Sequence, residues 1–201
     1  MRPVLTLVLL VVVSHPALAE PAITPLAAIQ IYHRGKLLRT FRRPGERLRL
    51  SLDLGVAIKD LRLVVRQTGG QEIPIRVEQH ELTSLTVMAG GPHIDLLAWK
   101  HGRSASRELP PSSRGYRLLA PGVPSAFPAV TPREVARALR AELRRQGFAS
   151  EETESWLVAA RRCTTVRTYP CDVGLSHVVL RVLASDRRVL AELAVEVPLG
   201  C

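Results

Sequence analysis

Apolar and polar residues alternate along much of the chain between residues 22 and 119, which is the period of a β-strand. From Arg47 to Leu54, four leucines fall on one face and polar groups on the other. The other alternating segments are 28–33, 37–41, 61–66, 73–77, 85–89, 94–99 and 116–119. Short strands at this spacing over about 100 residues predict an immunoglobulin-like β-sandwich, although a small barrel would give the same pattern. The Cys, Trp and Cys hallmark of immunoglobulin domains is absent from this stretch.

Turn residues predict how two of these strands are connected. Thr68-Gly69-Gly70 separates segments 61–66 and 73–77, and a Gly-Gly pair between two alternating runs predicts a β-hairpin. Pro74 has no N–H to donate to a ladder, so the second strand is expected at a sheet edge.

The pattern becomes helical after residue 131. Thr131-Pro132-Arg133-Glu134 is a capping box with proline at the first helical position, and the helix is expected to end at Gly147. Ser150 is the predicted cap of a second helix. Strand periodicity returns in Val178–Val182 and Val189–Val197, which predicts a hairpin and a small C-terminal α+β unit.

The first nineteen residues have the features of a secretory signal peptide. Arg2 precedes the apolar run 4–13, and Ala17-Leu18-Ala19 supplies the small residues that a signal peptidase requires. The run is about half as long as the ~20 residues of a bilayer span. Cleavage would leave a periplasmic or extracellular protein with no transmembrane segment in the mature chain.

Together these patterns predict a mainly β protein with four consecutive parts. They are a signal peptide (1–19), an all-β sandwich-like domain (20–120), a proline-rich linker (121–131) and an α+β unit with a disulfide (132–201).

Arginine carries the positive charge of the chain. There are 25 Arg, 3 Lys and 18 carboxylates, and the formal net charge is +10. One segment holds seven cations and a single carboxylate, Glu46; its cations are Arg34, Lys36, Arg39, Arg42, Arg43, Arg47 and Arg49. Guanidinium groups match phosphate and carboxylate geometry, so this basic patch is a candidate surface for anionic envelope polymers. The alternative is that these side chains only form a solvated face.

Aromatic residues make up 4% of the chain, which leaves few platforms on which nucleic-acid bases could stack. We therefore expect no nucleic-acid partner. The expected partner is an envelope protein or an anionic envelope polymer, and no cofactor is expected.

The three cysteines all lie near the C-terminus, where an oxidising compartment would favour one disulfide and one remaining thiol. The expected hairpin register brings Cys171 and Cys201 together, and this pairing is preferred. Cys163 with Cys171 is the alternative. A zinc site from these cysteines and His177 would lack the short Cys-x-x-Cys spacing, so no metal site is predicted.

Catalytic motifs are scarce. No serine lies in a Gly-x-Ser-x-Gly elbow, and no glycine-rich loop joins a strand to a helix. His93, Asp95 and His101 form a weak acid/base candidate on strand-like sequence.

We therefore expect an exported, non-catalytic binding or structural module that contacts envelope proteins or anionic polymers through an arginine-rich surface. An extracytoplasmic enzyme or redox protein that uses the unpaired cysteine or the His93, Asp95 and His101 region is one alternative. An inhibitor of a secreted hydrolase is another.

Overall fold

The computed structural model describes residues 26–42, 47–68, 73–122 and 127–198. The predicted signal peptide, Arg43 and Cys201 lie outside these residues. The strands are β1 (Leu26–His33), β2 (Lys36–Phe41), β3 (Arg47–Ser51), β4 (Leu61–Gln67), β5 (Ile75–Met88), β6 (His93–Asp95), β7 (His101–Arg103), β8 (Arg107–Glu108), β9 (Pro111–Ser112), β10 (Gly115–Arg117), β11 (Cys171–Ala184) and β12 (Val189–Glu196). The helices are α1 (Pro132–Gln146) and α2 (Ser150–Arg161), and a single 3-10 turn spans Ile58–Asp60.

The described strands form two open sheets. Sheet A has the order β2-β1-β4-β10-β9 and is antiparallel throughout. Sheet B has the order β3-β12-β11-β5, and the short strands β6, β7 and β8 follow one another along the remaining edge of β5. Only β3 and β12 run parallel. The prediction of a mainly β protein is confirmed.

The predicted hairpin between segments 61–66 and 73–77 is wrong. β4 pairs with β1 and β10 in sheet A, whereas β5 belongs to sheet B. Before the chain changes sheets, Ile73 N–H donates to Gln67 Oε1 at 2.9 Å and Gln67 Nε2 donates to the Ile73 carbonyl at 3.0 Å. The edge-strand prediction also fails, because Pro74 lies just before β5 and removes no ladder bond, so β5 can pair on both sides.

The longest ladder joins β5 to β11, from Val87 opposite Cys171 to Ile75 opposite Ala184. Its register shifts at Ser176, which is an extra residue in β11. The Ser176 hydroxyl donates to the Leu82 carbonyl at 3.1 Å, and the Ser176 carbonyl accepts from Val197 N–H at 2.9 Å.

This bulge changes which residues of β11 face inward. Cys171 and Val173 precede it, and Val178 and Leu180 follow it, so the two pairs differ in parity along the chain. On a regular strand they would lie on opposite faces. Because of the bulge, both pairs lie on the same face of sheet B, opposite odd-numbered residues of β5.

That face of sheet B contributes to two apolar cores. The first core lies between the two sheets and is called the sandwich core below. In it, Ile31 and Leu63 of sheet A pack with Val77, Leu180 and Leu193 of sheet B. The strands before and after the boundary predicted near residue 120 thus share both a sheet and a core.

The second core lies under the helices. Leu85 of β5 and Val173 of β11 pack there with Val135 and Leu139 of α1 and Trp156 of α2.

Buried polar groups of β5 lie between the two cores and hold the segment that leaves sheet A. The Gln79 side chain donates to the Leu119 carbonyl and accepts from the Leu119 N–H, both at 3.0 Å. Glu81 is buried and forms an ion pair with Arg107, which also donates to the Ala120 carbonyl at 3.1 Å.

The helix signals predicted for α1 are confirmed. Thr131 forms the capping box with Glu134, and α1 ends at Gly147 with φ +81°. Lys100 donates to Glu134 at 2.8 Å and, with the Thr131 N–H and hydroxyl, lowers the pKa of Glu134 to about 2. At α2 the cap is Ala149, and Ser150 is the first helical residue.

The disulfide joins Cys163 to Cys171, with their Cα atoms 5.6 Å apart. A sulfur atom forms one disulfide, so this pairing replaces the preferred one between Cys171 and Cys201. The predicted register of the C-terminal hairpin is present, with Leu180 opposite Leu193. However, β12 ends at Glu196, whereas the start of β11 pairs with β5 and, through Cys171, with Thr168.

The disulfide is typical of proteins that fold outside the cytoplasm. Neither of the helices described is long and apolar enough to cross a bilayer.

Reducing the Cys163–Cys171 bond should lower the free energy of unfolding by about 2–3 kcal/mol, because a closed loop of this length restricts the unfolded chain. The measurement is urea unfolding with and without reductant. In the control variant C163A/C171A, reductant should change nothing. Equal stability of the oxidised and reduced wild-type proteins would contradict the prediction.

Candidate functional site

A cleft of about 1060 Å³ lies on the face of sheet A that points away from the sandwich core. β1, β4 and β10 form its floor, and the β9–β10 turn and the 3-10 turn contribute to its rim. Six of its lining residues are cationic, namely Arg34, Lys59, Arg62, Arg66, Arg114 and Arg117. One lining residue, Asp60, is a carboxylate. The cleft is therefore a strongly positive surface.

Strand register sets the arrangement of these cations. Tyr32 of β1 lies opposite Arg62 of β4, and Arg62 lies opposite Arg117 of β10. Along β4, Val64 and then Arg66 follow Arg62 on the same face, because alternate residues of a strand share a face. Their neighbours Leu61 and Leu63 are fully buried in the sandwich core. The alternation of β4 thus directs leucines inward and arginines into the cleft.

The direct pairing of Arg62 with Arg117 is unfavourable for folding, because like charges opposite each other in a ladder repel. The Arg117 Nε donates to the Lys59 carbonyl at 3.2 Å, which fixes its guanidinium but does not neutralise it. Among the described residues, Arg62 and Arg117 have no carboxylate partner. An anion between these two guanidinium groups would relieve the repulsion.

The only cation of the cleft rim that has a carboxylate partner among the described residues is Arg34. Its Nε and Nη2 donate to Asp60 Oδ2 at 3.0 and 2.9 Å. This hydrogen-bonded guanidinium lowers the pKa of Asp60. The pair joins the β1–β2 turn to the 3-10 turn and neutralises the one carboxylate of the cleft, so the remaining cations there keep their full charge.

Gly115 keeps the centre of the cleft open. It has φ +99°, and a Cβ at this position would overlap the Leu63 carbonyl and contact Val64 Cγ2. The absence of a side chain lets β10 approach β4 closely and leaves Val64 as the floor between Arg62 and Arg66.

The cations of the arginine-rich segment predicted from the sequence lie on strands of both sheets. Lys36 and Arg39 lie on β2 at the edge of sheet A, while Arg47 and Arg49 lie on β3 at the edge of sheet B. Arg42 is exposed just after β2, and Arg43 lies outside the described residues. Of the cations of this segment, Arg34 is among the cleft residues.

The cations that sequence reasoning missed are Lys59, Arg62, Arg66, Arg114 and Arg117. Arg62 and Arg66 carried a usable signal, because they alternate with the inward leucines of β4. No local signal places Arg114 and Arg117 beside them, since the β10–β4 pairing joins residues about fifty positions apart.

The acid/base candidates do not converge on one centre. His93 Nε2 is 3.6 Å from Asp95 Oδ2, and Asp95 accepts a hydrogen bond from Thr86 at 2.6 Å. His101 lies on another strand, with its Nδ1 3.1 Å from Ser84 Oγ and 3.3 Å from the Thr83 carbonyl.

The burial of Ser84 decides what this pair can do. Its side chain is fully buried although it contacts His101, and a hydroxyl that a substrate cannot reach is not a nucleophile. This geometry does not form an activated serine. None of the described residues forms a group of three or more His, Cys, Asp or Glu placed to hold a metal ion.

On the other face of sheet B, His80 and His177 each have a buried Nδ1 with no hydrogen-bond partner among the described residues. His80 is fully buried, and His177 is partly buried. The pKa of His80 is lowered to about 4, first by burial and then by the charges of Arg103 and Arg181, which outweigh those of Glu192 and Glu81.

Burial also lowers the pKa of His177, against the opposing effect of Glu196. His101, whose ring centroid is 6.1 Å from that of His177, and Arg49 lower it further. Both histidines are therefore mainly neutral in the folded protein near pH 7.

Comparison of the chain with protein-family models, with curated proteins and with solved structures found no match.

The free energy of unfolding should fall by up to about 3 kcal/mol through His80 as the pH drops from about 6.5 to about 4. In this range the unfolded chain binds a proton that the folded chain excludes, whereas above pH 6.5 neither state binds it. Urea unfolding at several pH values measures the loss. The variant His80→Leu should lose stability less steeply with acid, and the control His33→Leu should keep the wild-type slope. An unchanged slope in His80→Leu would refute the assignment.

Gly115→Ala should destabilise the protein by about 1–3 kcal/mol more than Gly35→Ala. Both glycines have positive φ, but only at Gly115 would a Cβ overlap the backbone, whereas nothing lies within 4 Å at Gly35. Thermal or urea unfolding of the two variants measures the difference. Equal losses would show that β10 and β4 can separate without cost.

Proposed function

We propose that this protein is an exported, non-catalytic binding module that holds an anionic polymer of the cell envelope in the cleft on sheet A. The observation that carries the proposal is the pairing of Arg62 with Arg117 across the ladder without a carboxylate partner among the described residues. Such a pair costs stability, and bound anions would offset that cost.

The chemistry of the cleft supports an anionic ligand. Guanidinium groups form bidentate, charge-assisted hydrogen bonds with carboxylate, sulfate and phosphate oxygens. Arg62, Arg66 and Arg117 lie on strands of a sheet whose opposite face is buried in the sandwich core, so their backbone positions are fixed before a ligand binds. The single carboxylate is already neutralised by Arg34.

The proposed location rests on two observations. The Cys163–Cys171 bond is typical of an oxidising compartment, and the first nineteen residues have the sequence features of a cleaved signal peptide. The periplasm or the extracellular space is therefore the proposed location. Outside the cytoplasm, acidic polysaccharides and phosphorylated lipids are the abundant polyanions.

The finer fold assignment belongs to the same proposal. Two sheets around a shared core support an immunoglobulin-like sandwich. The helix pair packed on sheet B and the parallel β3–β12 pairing would be additions to that arrangement.

Immobilised dextran sulfate should bind the full mature protein, and binding should weaken steeply as salt rises from about 50 to about 300 mM. Replacing three cleft cations in R62Q/R66Q/R114Q should weaken binding at least about tenfold at low salt and make the salt dependence shallower. Uncharged dextran should not bind.

The matched control is R133Q/R137Q/R140Q, which removes the same charge from the exposed face of α1. Its binding should stay within about twofold of the wild type. A third variant, R39Q/R42Q/R49Q, tests the arginine-rich segment of the sequence. Equal losses in all three variants would show non-specific attraction to net charge and would reject the cleft as the site.

A further inference from the structure

Apart from Arg34, which is paired with Asp60, the cations of the cleft fall into two groups at opposite ends of β4. At the end nearer the start of β4, Arg62 and Arg117 lie opposite each other, with Lys59 beside them through its carbonyl contact to Arg117. At the other end are Arg66 and Arg114. β10 runs antiparallel to β4, so the chain before Gly115, which includes Arg114, continues toward the Arg66 end.

The two groups are separated by an uncharged floor. Val64 lies between Arg62 and Arg66 on the same face, and Gly115 beside it contributes no side chain. Four residues at about 3.3 Å per residue place the two groups about 13 Å apart along the strand. A single small anion cannot reach both groups, whereas an extended chain with repeated charges can.

The residues that line the cleft restrict which class of extended, charged ligand could bind there. The uncharged polar ones include Gln67, Ser112 and Ser113. The Gln67 amide is hydrogen-bonded to Ile73 and the Ser112 hydroxyl to Gly115, whereas the Ser113 hydroxyl can donate to and accept from sugar hydroxyls. Tyr32 supplies one ring at the Arg62 end, whereas single-stranded nucleic acid needs a series of aromatic platforms. The apolar lining residues, which include Leu61, Val64, Val65 and Ile75, are outnumbered by charged and polar ones, which favours a charged chain over an acyl chain.

We propose that the occupant is a linear acidic polysaccharide that lies along β4, with acidic groups on both cation groups and its backbone crossing Val64 and Gly115. This inference rests on the proposed function and specifies its ligand class. The charge complementarity and the separation of the two cation groups carry it. A longer oligosaccharide gains affinity over a short one because the second contact becomes intramolecular.

Oligomers of galacturonic acid, from the dimer upward, test the spacing in a titration at constant low salt. The affinity of the wild-type protein should rise at least about tenfold between the dimer and oligomers long enough to span about 13 Å, and then level off. In the variant R66Q/R114Q this rise should disappear, while the affinity for the dimer stays within about twofold. A gradual increase with length, or a rise retained in R66Q/R114Q, would overturn the two-point arrangement.

The floor has its own matched pair of variants. Val64→Glu places a carboxylate between the two groups and should abolish binding of the long oligomers, whereas Val64→Gln, of similar size, should retain it. Val64 is only partly buried, and unchanged thermal unfolding of both variants would show that they fold. Equal binding by the two variants would exclude a ligand that crosses the floor.

Two further probes separate the ligand class from the proposed function. If inorganic polyphosphate or oligothymidylate of equal charge binds as tightly as the long oligomer, the polysaccharide assignment fails while the cleft remains an anion site. If dextran sulfate does not bind to the protein, the proposed function itself fails. A higher affinity for the long galacturonic acid oligomer than for polyphosphate and oligothymidylate supports the inference.

Discussion

The rest of the structure depends on the ladder between β5 and β11, and on the single extra residue that interrupts it. Ser176 shifts the parity of β11, so that apolar residues before and after it lie on the same face. One end of that face closes the sandwich core and the other end carries the helices. A regular strand would expose one of the two sets to water. The Ser176 hydroxyl and carbonyl both form hydrogen bonds at the bulge, so the irregularity leaves neither group without a partner at a buried position.

Because the sandwich core holds the inner face of sheet A, the outer face is free to carry features that do not stabilise the fold. Its strand pairs include two arginines directly opposite each other, which is unfavourable for an isolated sheet. Residues that disagree with local stability rules while their surroundings obey them are expected at functional sites. The outer face of sheet A differs in this respect from the helices, whose caps and charges follow the usual preferences.

The outer face of sheet B shows another arrangement, in which polar side chains are buried and are not accessible to a ligand. His80 lies in the centre of β5 with one ring nitrogen unpaired among the described residues, and burial keeps it neutral. Ser84 and His101 are in contact, but Ser84 is fully buried. The contact between Ser84 and His101 links β5 to β7, and the lowered pKa of His80 makes the stability of the fold sensitive to acid.

The sequence by itself determined the local structure, because local structure depends on neighbours along the chain. Alternation located most strands, the Thr131 capping box and Gly147 bounded α1, and the turn before Val189 set the register of the last hairpin. Tertiary structure decided which strands share a sheet, which cysteine meets Cys171, and which arginines share a surface. Pairs such as Arg62 with Arg117 join distant segments, and their pairing follows from the order of the strands in sheet A and not from any pattern within reach of either residue. The sequence therefore indicated a basic protein and a cation-rich segment, but it could not indicate that cations of β4 and β10 would lie opposite each other.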